Sequence, residues 1–200
     1  MCGRYLYYYD KDDEEIQKIV KQIDKNKSKT VSGEIYPSNM ATVIVRSVLT
    51  SLKWGYLLSK SNLIINARSE TLLQKPLFKN SYLDGKRCLI PAQIFFEWKK
   101  ENTKKIKYEI FSNYKKTFFM AGIYNSFTDK EENKVFSYVI LTTDSNKYIE
   151  KIHNRMPVII NSREDQFLWM NKSTQLKDLN NIIKKSSNIE LNFRQNQKIN

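Results

Sequence analysis

Between residues 87 and 144 the chain carries four apolar, β-branched and aromatic segments in succession. They are RCLIPAQIFFEWKK, KYEIFS, KKTFFMAGIYNSF and KVFSYVILTT, and only short polar stretches lie between them. No helical periodicity separates these segments. Parallel neighbours need long crossovers, so strands spaced like this pair mainly antiparallel. TDKEENK, between the last two, reads as a hairpin loop. The pattern argues against a doubly wound parallel sheet, and no Gly-rich phosphate loop supports one, with only five glycines in the chain. The expected class is α+β: a single compact domain with a curved, mostly antiparallel, barrel-like sheet and peripheral helices. At 200 residues, 40% of them hydrophobic, the chain can bury one substantial core.

The flanks read less uniformly. DDEEIQKIVKQID (12–24) is predicted as an amphipathic helix, because Ile16, Ile19, Val20 and Ile23 recur at helical spacing behind an acidic first turn. KNKSKTVSGE reads as a solvated loop, and ATVIVRSV and LKWGYLL as strands. LIIN reads as a short buried strand running into a helix, ARSETLLQK, that Pro76 ends. SNKYIEKIH is predicted as a helix stopped by Pro157, with VII as a following strand. REDQFLWMN opens another helix, with Phe167, Leu168 and Met170 toward the core. The domain is expected to span 1–185, leaving 186–200 as a polar C-terminal tail.

The charge points to a class of partner. Thirty-four basic residues against 21 acidic ones give a net charge of +13 and a pI near 9.6. That balance favours polyanions, chiefly nucleic acid. The richness in Lys, Asn and Ile also matches what an A·T-rich genome writes, which would account for scattered lysines. The arginines are more pointed: Arg4, Arg68 and Arg155 each sit in a short segment of unusual residues, and a guanidinium fork suits phosphate. Two cysteines without a secretory leader suggest a reducing compartment, the cytoplasm, and the nucleoid if the source is bacterial. No apolar run approaches the roughly 20 residues of a membrane span. Two cysteines and one histidine lack zinc-ligand spacing. No membrane, metal or cofactor is therefore expected, and a monomer is the default.

A few residues could carry chemistry. Loss of Met1 would leave Cys2 as an N-terminal 1,2-aminothiol, whose amine and thiol can close on an aldehyde to a five-membered thiazolidine. A small buried hydrophobe is the alternative role for Cys2. Glu97, in IFFEW, alternates with Ile94, Phe96 and Trp98. Burial there would raise its pKa toward neutrality and suit it to proton transfer, whereas an edge strand would leave it in water. His153 is the only histidine, set two residues before Arg155 and four before Pro157. Asn66 ends LIIN, where it can cap the following helix or hold an oxyanion or hydroxyl. Arg68 and Ser69 would occupy that helix's first turn, a place for phosphate. Trp54, in KWGYL, is either core or a stacking platform for an unpaired base.

Taken in order, MCGRY, IYPSN, KWGYL, INARSET, RCLIPAQIFFEW, AGIY, ILTTD and IHNRMPVII resemble the SRAP family, the SOS response-associated peptidases, from residue 2 to about residue 170. The resemblance implies a compact barrel-like α+β domain that bonds covalently to abasic sites in single-stranded DNA through the N-terminal cysteine. It implies Cys2 as nucleophile, with Asn66, Glu97 and His153 in support. It also implies that Arg4, Arg68, Trp54 and Arg155 hold phosphates and bases, and that Pro37 lies near the break in stacking. The family name implies that the protein releases Met1 itself, with a cellular aminopeptidase as the other route, and lyase-type activity is expected beside it; a replication-fork partner is left open. The chain departs from the family at Gln93 and Ile94, at Phe96 where Tyr is commoner, and at Asp144, whose charge would weaken nearby phosphate binding. Two other readings of the same residues stay open. One is a cysteine peptidase or N-terminal-nucleophile amidohydrolase, with His153 or Glu97 as base. The other is a non-catalytic single-strand binding module.

Overall fold

The computed structural model describes residues 2–24, 31–59, 62–128 and 132–196. Met1, the KNKSKT portion of the predicted loop and the tip of TDKEENK lie outside the described residues. In chain order the elements begin with β1 (Tyr5–Tyr7), α1 (Glu14–Gln17), β2 (Gln22–Ile23), β3 (Gly33–Ile35), β4 (Met40–Val45) and β5 (Val48–Trp54). Then come β6 (Tyr56–Ser59), β7 (Asn62–Ile64), β8 (Asn66–Arg68), α2 (Pro76–Leu83), β9 (Arg87–Ala92), β10 (Ile94–Glu101) and β11 (Lys104–Phe111). The chain closes with β12 (Phe118–Thr128), β13 (Lys134–Asp144), β14 (Arg155–Pro157), α3 (Arg163–Met170), α4 (Leu176–Lys185) and β15 (Asn192–Gln195).

The barrel anticipated from the strand-rich middle is present and closed. Strands β5, β4, β9, β12 and β13 pair antiparallel in that order, and β13 returns to β5 through a parallel pairing, Tyr138 opposite Trp54. Arg46 and Ser47, both at positive φ (49° and 64°), turn the β4–β5 hairpin. Every residue of β9 is buried, because the barrel interior covers one face and helix α3 packs on the other. Arg87, on that strand, is 1% exposed. It donates to the carbonyls of Tyr82, Trp169 and Asn171 at 2.6, 2.7 and 2.6 Å, satisfying orphan acceptors at the C-terminal ends of α2 and α3. A second sheet, ordered β15-β11-β10-β1-β3, lays Tyr5, Phe95 and Ile110 into the core.

Several expected helices are not formed, each for a tertiary reason. The 12–24 helix stops after one turn, capped by Asp13. Lys21 N–H then bonds the Ser47 carbonyl at 2.8 Å, and Gln22–Ile23 pairs parallel to β5, leaving Ile23 52% exposed. ARSETLLQK is not a helix. Asn66–Arg68 pairs parallel with Ile140–Thr142 of β13, and only a 3-10 turn, Ser69–Thr71, follows. Pro76 begins a helix instead of ending one, at the first-turn position that needs no N–H. SNKYIEKIH forms consecutive turns, and Pro157 ends β14. The Arg163 helix forms as expected, capped by Ser162, although its most buried side chain is Trp169; Phe167 and Leu168 are half-buried. The segment set apart as a tail belongs to the sheet at least to Gln195: Leu191 is buried and Asn192–Gln195 pairs with β11. Among the described residues no helix is long and apolar enough to cross a membrane.

Candidate active site

Strands β1, β8 and β10 bring Cys2, Asn66 and Glu97 together, and the turn before β14 carries His153. Strand β1 pairs with β10, Tyr5 opposite Phe95, and the Phe96 N–H bonds the Arg4 carbonyl at 2.9 Å, so the residues before β1 run alongside Glu97. Strand β8 delivers Asn66, whose side-chain N–H donates to the Cys2 carbonyl at 2.9 Å. Asn66 is therefore not a helix cap. It pins the main chain of the candidate nucleophile, and its Oδ1 is buried without a partner.

Cys2 is fully buried, with Sγ 3.7 Å from the Arg4 carbonyl. Burial pushes its thiol well above the ordinary range, and the nearby Glu97 charge adds to this. Glu97 is 2% exposed on an interior strand, which removes the edge-strand alternative. Burial raises its carboxyl from an ordinary 4.5 to about 7. His153 is half-buried, and its pKa is lowered, by burial first. Its Nδ1 lies 3.0 Å from the Arg155 N–H and 3.2 Å from the Arg155 carbonyl, so the main chain of Arg155 orients the ring. The site thus combines a buried thiol with a carboxyl poised near neutrality, and an oriented imidazole is carried on the turn before β14. Behind it the buried hydroxyls of Tyr5 and Tyr138 bond each other at 2.7 Å. Cys2 and the second cysteine, Cys88, are both free thiols. Among the described residues no group of three His, Cys, Asp or Glu side chains could hold a metal ion.

The expected nucleic-acid contacts divide. Arg4 lines a surface groove of about 960 Å³ together with Glu34, Tyr36, Trp98 and Lys107. Pro37 stands second in a tight Tyr36–Asn39 turn, with Ser38 at φ 72°. Arg68 is exposed at the end of β8. Ser69 bonds Glu70 at 3.3 Å, and with no α-helix here the anion site expected at a helix N-terminus does not exist. Trp54 is fully buried inside the barrel. Its ring lies parallel to Tyr138 and tilted against Tyr5, and its Nε1–H donates to the Ile65 carbonyl at 3.0 Å, so it cannot stack on a base.

Arg155 is likewise no phosphate clamp. It is 6% exposed, and its fork grips Glu70 twice, at 2.7 and 2.9 Å, Asp144 at 2.7 Å and the Thr142 carbonyl at 2.8 Å. Its guanidinium anchors the turn whose amide orients His153. Sequence reasoning overlooked Glu70, though it lies inside INARSET, because only the folded chain shows that Arg155 needs a counter-charge. It also overlooked Trp98 and Lys107, which stand opposite each other on β10 and β11.

The family model described as SOS response associated peptidase (SRAP) matches residues 1–198. Among curated proteins, the chain is 36% identical over 188 residues to the Bacillus subtilis abasic site processing protein YoqW, covering 86% of this chain and 80% of the relative. It is 29% identical over 153 residues to the Xenopus tropicalis abasic site processing protein HMCES, covering 62% of this chain and 45% of that one. Its fold is similar to a crystal structure from Bordetella bronchiseptica (TM-score 0.79, 19% identity, 98% and 100% covered). One from Bacteroides thetaiotaomicron is also similar (TM-score 0.75, 21% identity, 98% and 93% covered).

Proposed function

The chain belongs to the SOS response associated peptidase family, and from that premise we propose that it processes abasic sites by bonding to them in single-stranded DNA through Cys2. The relatives named for abasic-site processing support the substrate class. The observation that carries the chemistry is the Cys2 main chain, held by the Asn66 amide at 2.9 Å beside a buried Glu97 poised near 7.

Loss of Met1 comes first, because an acylated nitrogen cannot form an imine. The abasic sugar exchanges between a closed ring and an open aldehyde, and His153 assists opening by moving a proton to and from the ring oxygen. The Cys2 amine leads, since burial keeps the thiol protonated. Its nitrogen adds to the aldehyde carbon. Glu97 donates a proton to the departing hydroxyl, and water leaves as the iminium forms. The thiol sulfur then adds to the iminium carbon, its proton returning to the Glu97 carboxylate, and the thiazolidine closes with its nitrogen protonated. Asn66 fixes the Cys2 carbonyl so that both nucleophilic atoms face one carbon. One water is lost overall.

The test is a denaturing gel with mass spectrometry. Protein lacking Met1 is mixed, without reductant, with a single-stranded oligonucleotide bearing one abasic site. The expected result is a heat-stable adduct that needs Cys2, with the combined mass less one water. A folded Cys2→Ala variant that forms the same adduct, or a wild type that binds the DNA without forming it, would overturn the reading.

A further inference from the structure

The chain has seven arginines, and five of them already have a place. Arg4 and Arg68 stand two residues from Cys2 and Asn66. Arg87 and Arg155 are buried in structural contacts, and Arg194 pairs with Glu109 at 2.6 Å. The remaining two, Arg46 and Arg163, border one ring, that of Phe167. Arg163 begins α3, and its guanidinium lies 5.6 Å from the Phe167 ring centre one helical turn on; Lys21 Nζ lies 5.9 Å from it. Arg46, in the β4–β5 turn, and Lys172, after α3, line a hollow of about 330 Å³ whose apolar side chains are Phe167 and Met170. The Lys21 N–H bond to the Ser47 carbonyl, at 2.8 Å, holds the two loops side by side.

All four cations are exposed, and among the described residues none of them forms a salt bridge. Glu164, next to Arg163 in the chain, bonds to none of them. Four like charges around one small hollow repel one another and focus a positive field on it, an arrangement that favours an anion there. Codon drift toward lysine does not account for two unpaired arginines.

Beyond Lys21 lies a sheet edge. Among the described residues β2 is the last strand of the eight-stranded sheet, and Ile23 on it is 52% exposed. Lys21 and Ile23 share a second hollow, of about 240 Å³, with Tyr9, Val20 and Leu49. A strand edge flanked by exposed apolar side chains accepts an extended peptide as an added strand. Nucleic acid has no use for such an edge, and two cations already lie over the Phe167 ring, which takes it from base stacking. The surface also stands away from the candidate site. Strand β5 runs about 20 Å from the Arg46–Ser47 turn to Trp54, whose indole bonds Ile65 beside Asn66.

We propose that this end of the barrel docks an acidic, partly apolar peptide segment of another protein. Lys21, Arg46, Arg163 and Lys172 hold its carboxylates, and its chain lies along β2. A partner held here leaves the candidate site clear.

The probe is a fluorescein-labelled peptide of about ten residues in which glutamate alternates with leucine, suited to an edge strand. Fluorescence anisotropy compares wild type with folded Arg46→Ala/Lys172→Ala and with Lys104→Ala/Lys105→Ala, a control that removes the same charge from the β10–β11 hairpin. Wild type should bind saturably. Arg46→Ala/Lys172→Ala should bind about ten-fold more weakly, and the control within about two-fold of wild type. Ile23→Ser should weaken binding about five-fold by removing an apolar contact without touching charge. No saturable binding to wild type, an equal loss in variant and control, or an unchanged affinity in Ile23→Ser would overturn the proposal. Labelled oligothymidylate is run beside the peptide. Should it lose as much affinity in Arg46→Ala/Lys172→Ala as the peptide does, the surface belongs to nucleic acid and the peptide reading falls. None of these outcomes depends on adduct formation.

Discussion

Glu97→Gln is the substitution whose effect the structure specifies most fully. The carboxyl is 2% exposed, and burial lifts it from 4.5 to about 7. Between those values the folded chain holds a proton that the unfolded chain has released. Stability is therefore greatest below the unfolded value and is lost as pH rises through the folded one. At about 1.4 kcal/mol per pH unit, the whole displacement is worth about 3 kcal/mol, and about 2–3 kcal/mol of it falls between pH 5 and pH 8. Gln has the shape of the protonated acid and does not titrate, so the variant should lack this loss. Urea unfolding of both proteins at several pH values reads the difference directly. Wild type should lose about 2–3 kcal/mol relative to Glu97→Gln between pH 5 and pH 8, while the variant loses the ability to form the adduct. A gap between the two that stays constant within about 0.5 kcal/mol over this range would refute the claim that burial raises this carboxyl.

Other consequences follow from neighbouring contacts. Glu70→Ala should cost about 1–2 kcal/mol in chemical denaturation, since its charged hydrogen bonds to Arg155 are discounted by a side chain 48% exposed. It should also slow adduct formation more than it weakens DNA binding, because it loosens the turn holding His153; equal effects on both would contradict the anchoring role of Arg155. With its pKa lowered by burial, the His153 ring should protonate below its ordinary 6.5, so an acid limb of the reaction rate is expected below that pH and should vanish in His153→Gln. Trp54→Ala should destabilise by about 3–5 kcal/mol as a core cavity, whereas folded Trp54→Phe should bind single-stranded DNA within two-fold of wild type by anisotropy. A larger loss would return Trp54 to the binding surface. Gly55 sits at φ +107°, and an added Cβ would come within 2.7 Å of Leu63 Cδ1. Gly55→Ala should therefore lower stability by about 1–3 kcal/mol, visible as a lower thermal midpoint.

The strands of the middle could be read from sequence because their signal is local. A run such as KVFSYVILTT is β-branched and aromatic whatever it pairs with, and uninterrupted succession alone dictated antiparallel hairpins. The burial of Glu97 and the candidate status of Cys2 and His153 were legible for the same reason, being set by immediate neighbours and by rarity in the chain. The failures are all matters of partners. Asn66–Arg68 could have begun a helix, and it is a strand because β13 offers a parallel edge 74 residues further on. Pro76 reads equally as a stop or a start until the chain before it is known to be extended. Trp54 and Arg155 looked available to DNA because a sequence shows a side chain's chemistry but not what already occupies it. Arg155 is spent on Glu70, 85 residues away, and Trp54 on the barrel's interior. Local pattern, acting over a few residues, determined the strands and the reactive groups. Tertiary contact determined which groups are committed to the fold, because a guanidinium or an indole buried against one set of partners is closed to another.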